Sequence, residues 1–213
     1  MKPHDDTRAR LLKAAAEVFA EQGFEHATIR QICSRASANV ALVNYHFGDK
    51  LELYTEVLRY CKKPAEGDAA ARPWNSAADP QEALREIIRA MLERAFEGGD
   101  QANLRYRLML HEFVKPTAAT KRIVDVVMRP VYDRLRAICA AISGLSPDHE
   151  TTRLTVHSIM GQVAHYAHST PILMALWPDM KVTPPQREMV ARHIAELTLA
   201  YLDRQRVHQT VSR

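Results

Sequence analysis

Apolar residues recur with a helical period along nearly the whole chain. Leu12, Ala15, Ala16 and Phe19 stand at i, i+3, i+4 and i+7, the spacing of one buried face, and predict a helix over 7–22. Gly23 follows the last periodic residue, where a helix C-cap belongs. Thr28 offers an N-cap hydroxyl to a short helix over 29–36, whose apolar face is Ile29, Ile32, Cys33 and Ala36. A turn at Ser37-Ala38 leads to Asn39, a second good N-cap, and to a helix over 40–46 that closes at Phe47-Gly48. Asp49 then opens a fourth helix over 50–62.

Residues 63–79, rich in Pro, Ala and polar side chains, read as a loop. Asp79-Pro80-Gln81-Glu82 starts a helix strongly, with a cap, a proline at the first position and an acid in the first turn. Further helices read over 80–97, 103–114, 118–143, 148–170 and 185–205, and Pro130 should kink or divide the third of these. No strand-like alternation and no internal repeat stands out. The fold class is therefore all-α, with nine or ten helices. A three-helix helix-turn-helix unit occupies residues 1–50, and a larger helical domain occupies 51–213.

Two short helices joined by a tight turn, behind a longer packing helix, form the plan that lays one helix in the major groove of DNA. Such a helix needs one face for base edges and an apolar face that pins it to its neighbours. Ala41, Leu42 and Phe47 can pack inward, while Asn39, Val40, Asn44, Tyr45 and His46 can face outward. Asn44 suits adenine, because its amide both donates and accepts, and Val40 suits a thymine methyl. Tyr45, His46 and Lys50 suit phosphates, which position a protein without reading sequence. Thr28 brings a hydroxyl and the free N–H groups of a helix start to another phosphate. Periodicity alone also allows an ordinary corner of a helical bundle.

Residues 8–54 resemble the N-terminal domain of TetR-family regulators. The resemblance rests on Arg10 to Phe19, Gly23-Phe24, Thr28-Ile29-Arg30-Gln31-Ile32, Ala36 and above all the run Asn44-Tyr45-His46-Phe47-Gly48-Asp49-Lys50-Leu51-Glu52-Leu53-Tyr54. It implies that Asn39 to His46 form the recognition helix with its cap, and that Thr28, Tyr45, His46 and Lys50 hold the DNA backbone. The resulting DNA-facing set is Thr28, Arg30, Asn39, Val40, Ala41, Asn44, Tyr45, His46 and Lys50. Ser37 stands where the family usually has glycine, so a slightly strained turn is expected there. Arg105 to Pro116, Met128 to Tyr132 and Ser158 to Val163 are similar to the CecR-like subgroup. That similarity, over 80–213, implies a ligand-sensing and dimerising helical domain.

Composition narrows the rest. Hydrophobic residues make up 46% and charged residues 25%, a globular balance. No apolar run suits a membrane span, and the first residues lack the apolar stretch of a secretory signal. Three distant cysteines make neither a disulfide framework nor a metal clip, so a cytoplasmic place with reduced thiols is expected. The net charge of +4 adds little, since residues 1–60 hold eight Lys/Arg and eight Asp/Glu. DNA binding then needs basic groups sorted onto one face, with Arg10, Arg30, Arg35 and Lys50 the candidates.

In the second half, Met160, Val163 and Ala164, with Ile194, Leu197 and Tyr201, supply apolar stripes for a dimer interface, and Gly161 permits close approach. The same stripes could be the core of a monomer. Tyr106, Met109, His111, Glu112, Tyr132, His165, Tyr166 and Trp177 could line a pocket for a small-molecule effector of unknown identity. Phe113 can add an apolar wall to the same pocket. His157, Gly161, His165 and His168 share one helical face, so a metal reading stands beside a pocket-lining one. No Glu-x-x-His, nucleophile elbow, phosphate loop or dinucleotide fingerprint occurs, so no metal, cofactor or enzymatic activity is expected. The reading is a ligand-responsive regulator, in the first instance a repressor, that binds a palindromic operator as a homodimer. A helical metal protein and a protein-binding adaptor are the alternatives.

Overall fold

The computed structural model describes residues 3–61, 70, 72, 74–97 and 99–211, and among these no strand occurs. The helices are α1 (Pro3–His26), α2 (Ile29–Ala36), α3 (Val40–Phe47), α4 (Lys50–Cys61), α5 (Pro80–Ala95), α6 (Asp100–Val114), α7 (Thr120–Ile123), α8 (Arg129–Ser143), α9 (Glu150–His168), α10 (Thr170–Leu176) and α11 (Pro184–Val211). A π-helical turn, Val124–Met128, joins α7 to α8. Most of the 63–79 loop expectation lies outside the described residues. Within it, Ala70 is buried and Trp74 packs on the core of the second unit.

The helices pack as two compact units, residues 1–64 with 98–129, and residues 65–97 with 130–213. This division departs from a single boundary after residue 50. The physical reason is that α4 and α6 both pack on α1, so a segment remote in sequence completes the first core. There Phe19, Tyr54 and Phe24 form an aromatic cluster, Tyr54 meeting Phe19 edge-on at 5.0 Å and Phe24 at 5.3 Å. In the second unit α5 packs on α9 and α11, around Leu84, Ile87, Ile88, Leu135, Ile159, Ile194 and Leu202. Arg89 grips Glu188 with both ends of its guanidinium, at 2.7 and 3.0 Å.

The local signals act where the sequence placed them. Gly23 leaves helical geometry at φ 76° and kinks α1. Thr28, Asn39 and Asp79 each accept a hydrogen bond from the first turn of the helix they cap. Two long predicted helices are instead divided. The 118–143 stretch breaks at the π turn, just before Pro130 rather than at it. Pro130 has no N–H for the carbonyl four residues back, and the five residues before α8 absorb the mismatch, with Arg129 N–H donating five residues back to the Val124 carbonyl. The 148–170 stretch ends at His168, and α10 follows with Pro171 in its first turn. Cys33, Cys61 and Cys139 are free and buried, and burial pushes the last two thiols up to about 11 and about 12.

Ser37 adopts the left-handed conformation, at φ 49° and ψ 50°. For a residue with a Cβ this costs about 1–2 kcal/mol, and the extra entropy of a glycine returns about 0.5–1 kcal/mol of that. Ser37→Gly should therefore stabilise the protein by about 0.5–1 kcal/mol in urea unfolding. An unchanged or lower midpoint would show that the turn holds no strain.

Candidate nucleic-acid interface

Helix α3 is two turns long, and its eight residues divide by face. Val43 and Phe47 are buried, Leu42 and His46 half-buried, and Val40, Ala41, Asn44 and Tyr45 exposed, with Tyr45 at 74%. The exposed four lie at i, i+1, i+4 and i+5, one continuous stripe aimed at solvent. Asn44 is thus free to meet a base edge, and Val40 at 41% exposure stands at the start of the same stripe. Ala41 lies on this stripe and not on the inward face. The inward role belongs to Val43, which the sequence reading did not single out and which has no exposed surface. Phe47 is pinned from its far side by the Arg8 guanidinium, 5.2 Å from the ring centroid, and Arg8 is itself held by Glu56 at 2.6 Å.

The flanking groups are held as a set. The Asn39 side chain accepts from the Ala41 N–H at 2.9 Å, so its carbonyl oxygen is engaged in capping. The Thr28 hydroxyl accepts from the Gln31 N–H at 3.2 Å, and the Gln31 side chain accepts from the Thr28 N–H at 2.8 Å, a reciprocal cap. Gln31 belongs to the family-like run, and its capping partnership with Thr28 is a finding of the structure. The Thr-x-x-Gln spacing carried that signal. Arg30 is exposed beside it in the first turn of α2. Tyr45 and His46 stack edge-on at 5.0 Å. The Lys50 ammonium donates to the Glu25 carbonyl at 3.2 Å and sits 4.6 Å from the Phe24 ring centroid. Burial draws its pKa below the usual lysine range, opposed by the Glu25 charge.

Two of the basic candidates are engaged elsewhere. Arg35 is bound to Glu21 at 2.8 and 3.0 Å, and Arg10 pairs with Asp6 at 3.6 Å. Positive charge comes from an unforeseen source. The residues of the first unit hold sixteen Lys/Arg against eleven Asp/Glu, a balance of +5, while those of the second hold thirteen against fourteen, −1. The surplus lies in residues 61–64 and 98–129, because residues 1–60 are balanced.

The eight pocket candidates divide evenly between the units. In the first, Tyr106 is exposed and Met109 packs on the core. His111 Nε2–H donates to the Ala20 carbonyl at 3.1 Å, and buried Glu112 accepts from Thr117 N–H, Thr117 Oγ1 and Thr120 Oγ1 at 3.0, 2.8 and 2.7 Å. Both side chains therefore hold the unit's own backbone. In the second, Tyr132 lies 5.5 Å from His157, Tyr166 packs on the core, and His165 and Trp177 are exposed. Of the dimer candidates, Val163 and Ile194 are buried in the unit's own core, Met160 and Ala164 are half-buried, and Leu197 and Tyr201 are 53% and 45% exposed. Among the described residues no three His, Cys, Asp or Glu gather as a metal-holding group, and no helix is long and apolar enough to cross a membrane.

Comparison with known proteins points the same way as this geometry. The family described as bacterial regulatory proteins, tetR family, matches residues 11–57. The family of the HTH-type transcriptional dual regulator CecR, C-terminal domain, matches residues 80–203. The dual regulator CecR of Shigella flexneri is 26% identical over 205 residues, covering 89% of this chain and 90% of that protein. The transcriptional repressor NicS of Pseudomonas putida is 38% identical over 84 residues, 39% of each chain. Among solved structures, native NalD, the secondary repressor of the MexAB-OprM multidrug efflux pump in Pseudomonas aeruginosa, superimposes with a TM-score of 0.63 at 20% identity, over 92% of this chain and 96% of that one. AibR in complex with isovaleryl coenzyme A and operator DNA gives 0.58 at 21% identity, over 90% and 97%. These last two likenesses are of fold.

Because the Asn39 oxygen caps α3, its loss is a stability event. Asn39→Ala should cost about 1 kcal/mol in urea unfolding, whereas Asn39→Asp, an equally good cap, should cost under about 0.5 kcal/mol. Equal losses in both variants would show that the cap does not hold α3.

Proposed function

This chain belongs to the TetR family of bacterial regulatory proteins, and on that premise we propose that it binds a palindromic operator as a homodimer, represses transcription there and releases the DNA when a small effector binds. It is a transcription regulator and not an enzyme. The observation that carries the operator reading is the division of α3, with Val40, Ala41, Asn44 and Tyr45 exposed together above a buried Val43 and Phe47. Asn44 reads a base, Val40 and Ala41 lie against base edges or thymine methyls, and Thr28, Arg30, Tyr45, His46 and Lys50 engage phosphates. Asn39 fixes where α3 begins.

Repression is the sense favoured, since NicS and NalD are named repressors, although the Shigella protein is named a dual regulator. Functionally, residues 1–50 carry reading and 51–213 carry sensing and dimerisation, even though 98–129 pack within the first compact unit. The dimer forms from α9 and α11 of each copy as a four-helix bundle. Leu197 and Tyr201 are its apolar contacts, with the edges of Met160 and Ala164, because Val163 and Ile194 are already committed inside. In the second unit, Tyr132, His165 and Tyr166 offer polar handles to an effector. Effector binding must favour a state in which the two reading helices no longer match half-sites about 34 Å apart. The setting is the cytoplasm, with the DNA.

Selection of bound duplexes from a random pool tests the reading, and should return a two-fold symmetric site. Against that site, Asn44→Ala should flatten preference among base variants. Lys50→Ala should weaken all duplexes alike and lower the salt slope by about 1. Operator preference that survives intact in Asn44→Ala would remove that residue from base reading. Leu197→Asp should give monomers in sedimentation and lose operator affinity with them. A dimeric Leu197→Asp protein would place the interface elsewhere.

A further inference from the structure

One half-buried histidine outside the recognition helix lies at the root of the Lys50 site. His111 is on α6, and its ring reaches the end of α1. Its Nε2–H donates to the Ala20 carbonyl, three residues before the kink. The ring also lies against Gly23, where an added Cβ would stand 3.1 Å from Nδ1 and 3.2 Å from Cγ. A side chain at Gly23 would press tightly on the ring, and its φ of +76° disfavours one in any case. The carbonyls at a helix C-terminus need donors from outside the helix, and His111 supplies one at the point where α1 turns.

What leaves that turn holds Lys50. Phe24 and Glu25 are the next two residues. The Lys50 ammonium donates to the Glu25 carbonyl and lies over the Phe24 ring. Phe24 is fixed in turn against Tyr54 at 5.3 Å. His111 thus sets the direction of the chain at Gly23, and that direction sets the carbonyl and the ring on which Lys50 rests. The anchorage of His111 is firm. One residue along, Glu112 is buried under three hydrogen bonds from Thr117 and Thr120. Six residues before it, buried Arg105 donates to the Cys61 carbonyl at 3.2 Å, at the C-terminal end of α4. Helix α6 therefore supplies donors to the kink of α1 and to the carbonyl end of α4.

We propose that His111 is a positioning residue for DNA binding, which aims the Lys50 ammonium at a phosphate by capping α1 at its kink. The inference rests on the operator reading above, and on Lys50 as a phosphate contact. It does not concern base recognition, so it separates affinity from preference.

The test compares wild type, His111→Ala, His111→Phe and His111→Gln in the full chain. Each is titrated with the selected operator and a scrambled duplex across a range of salt. His111→Phe keeps a ring against Gly23 but has no donor, while His111→Gln keeps a donor. His111→Phe and His111→Ala should weaken both duplexes about fivefold and lower the salt slope by about 1, with the preference ratio unchanged. His111→Gln should restore the slope. In a Lys50→Ala background His111→Phe should add nothing further, because both act on one contact. A salt slope in His111→Phe equal to wild type, or full additivity with Lys50→Ala, would overturn the positioning role. Should His111→Ala fail to fold, the Phe and Gln variants decide. Wild type that binds no duplex would overturn the operator reading itself, an outcome distinct from a wild type that binds while His111→Phe behaves identically.

Discussion

An eight-residue helix does not hold its own shape in water. Helix α3 exists because Val43 and Phe47 are taken out of solvent by neighbours, and because Asn39 satisfies its first turn. Every functional statement about the DNA-facing stripe depends on that burial. A helix that rolled by one residue would carry Asn44 toward the core and expose an apolar side chain in its place. Burying each of the two side chains contributes roughly 1.5–3 kcal/mol, enough to select one orientation of so short an element. The Arg8 guanidinium over Phe47 closes the same contact from the side of α1. The exposed polar stripe and the buried apolar one are therefore two aspects of one constraint.

The electrostatic character of the first unit comes from chain that arrives late. Residues 1–60 carry no net charge, and Arg35 is bound within α1 and α2 by Glu21. Lys62 and Lys63 add two positive charges, and residues 98–129 add Arg105, Arg107, Lys115, Lys121, Arg122 and Arg129 with only the acids Asp100, Glu112 and Asp125. Some of these are used internally, as Arg122 on Glu52 and Arg105 on the Cys61 carbonyl. The field around the unit still reflects the sum, because long-range attraction of a polyanion depends on the net charge of the body rather than on one helix.

The sequence was most readable where structure is local. Thr28, Asn39 and Asp79 were recognisable as caps because capping depends on residues two or three positions away. Ser37 stood out as a strained turn through the family resemblance, which has glycine at that place, and its φ of 49° agrees. The all-α class followed from periodicity over long stretches. What could not be read was set by packing across long separations. Val43 and Ala41 are both small apolar residues on a two-turn helix, and packing against α2 and α4 decides which one turns inward. His111 and Glu112 looked like pocket residues, because a polar side chain on an amphipathic helix gives no sign that its partner is a carbonyl 91 positions earlier or a loop a few residues ahead. The π turn before Pro130 was half legible. The proline announced a break, but where the mismatch is absorbed depends on the surrounding helices.

The two-unit division also restricts how a signal could act. Among the described residues, the first unit is tied together by buried polar contacts that are costly to break singly, Arg105 with the Cys61 carbonyl and Glu112 with the 117–120 loop. Rearrangement inside it would leave a charged group unpaired in a dry environment. The chain passes from one unit to the other after residues 64, 97 and 129. The second crossing is flanked by Gly99 in a conformation at φ 107°, and the third directly follows the π turn. A glycine with positive φ and a helix with irregular hydrogen bonding can each change dihedrals at lower cost than a packed helix. Within the first unit, by contrast, α1 to α4, α6 and α7 are bound into one packed body, with His111 seated on the Ala20 carbonyl.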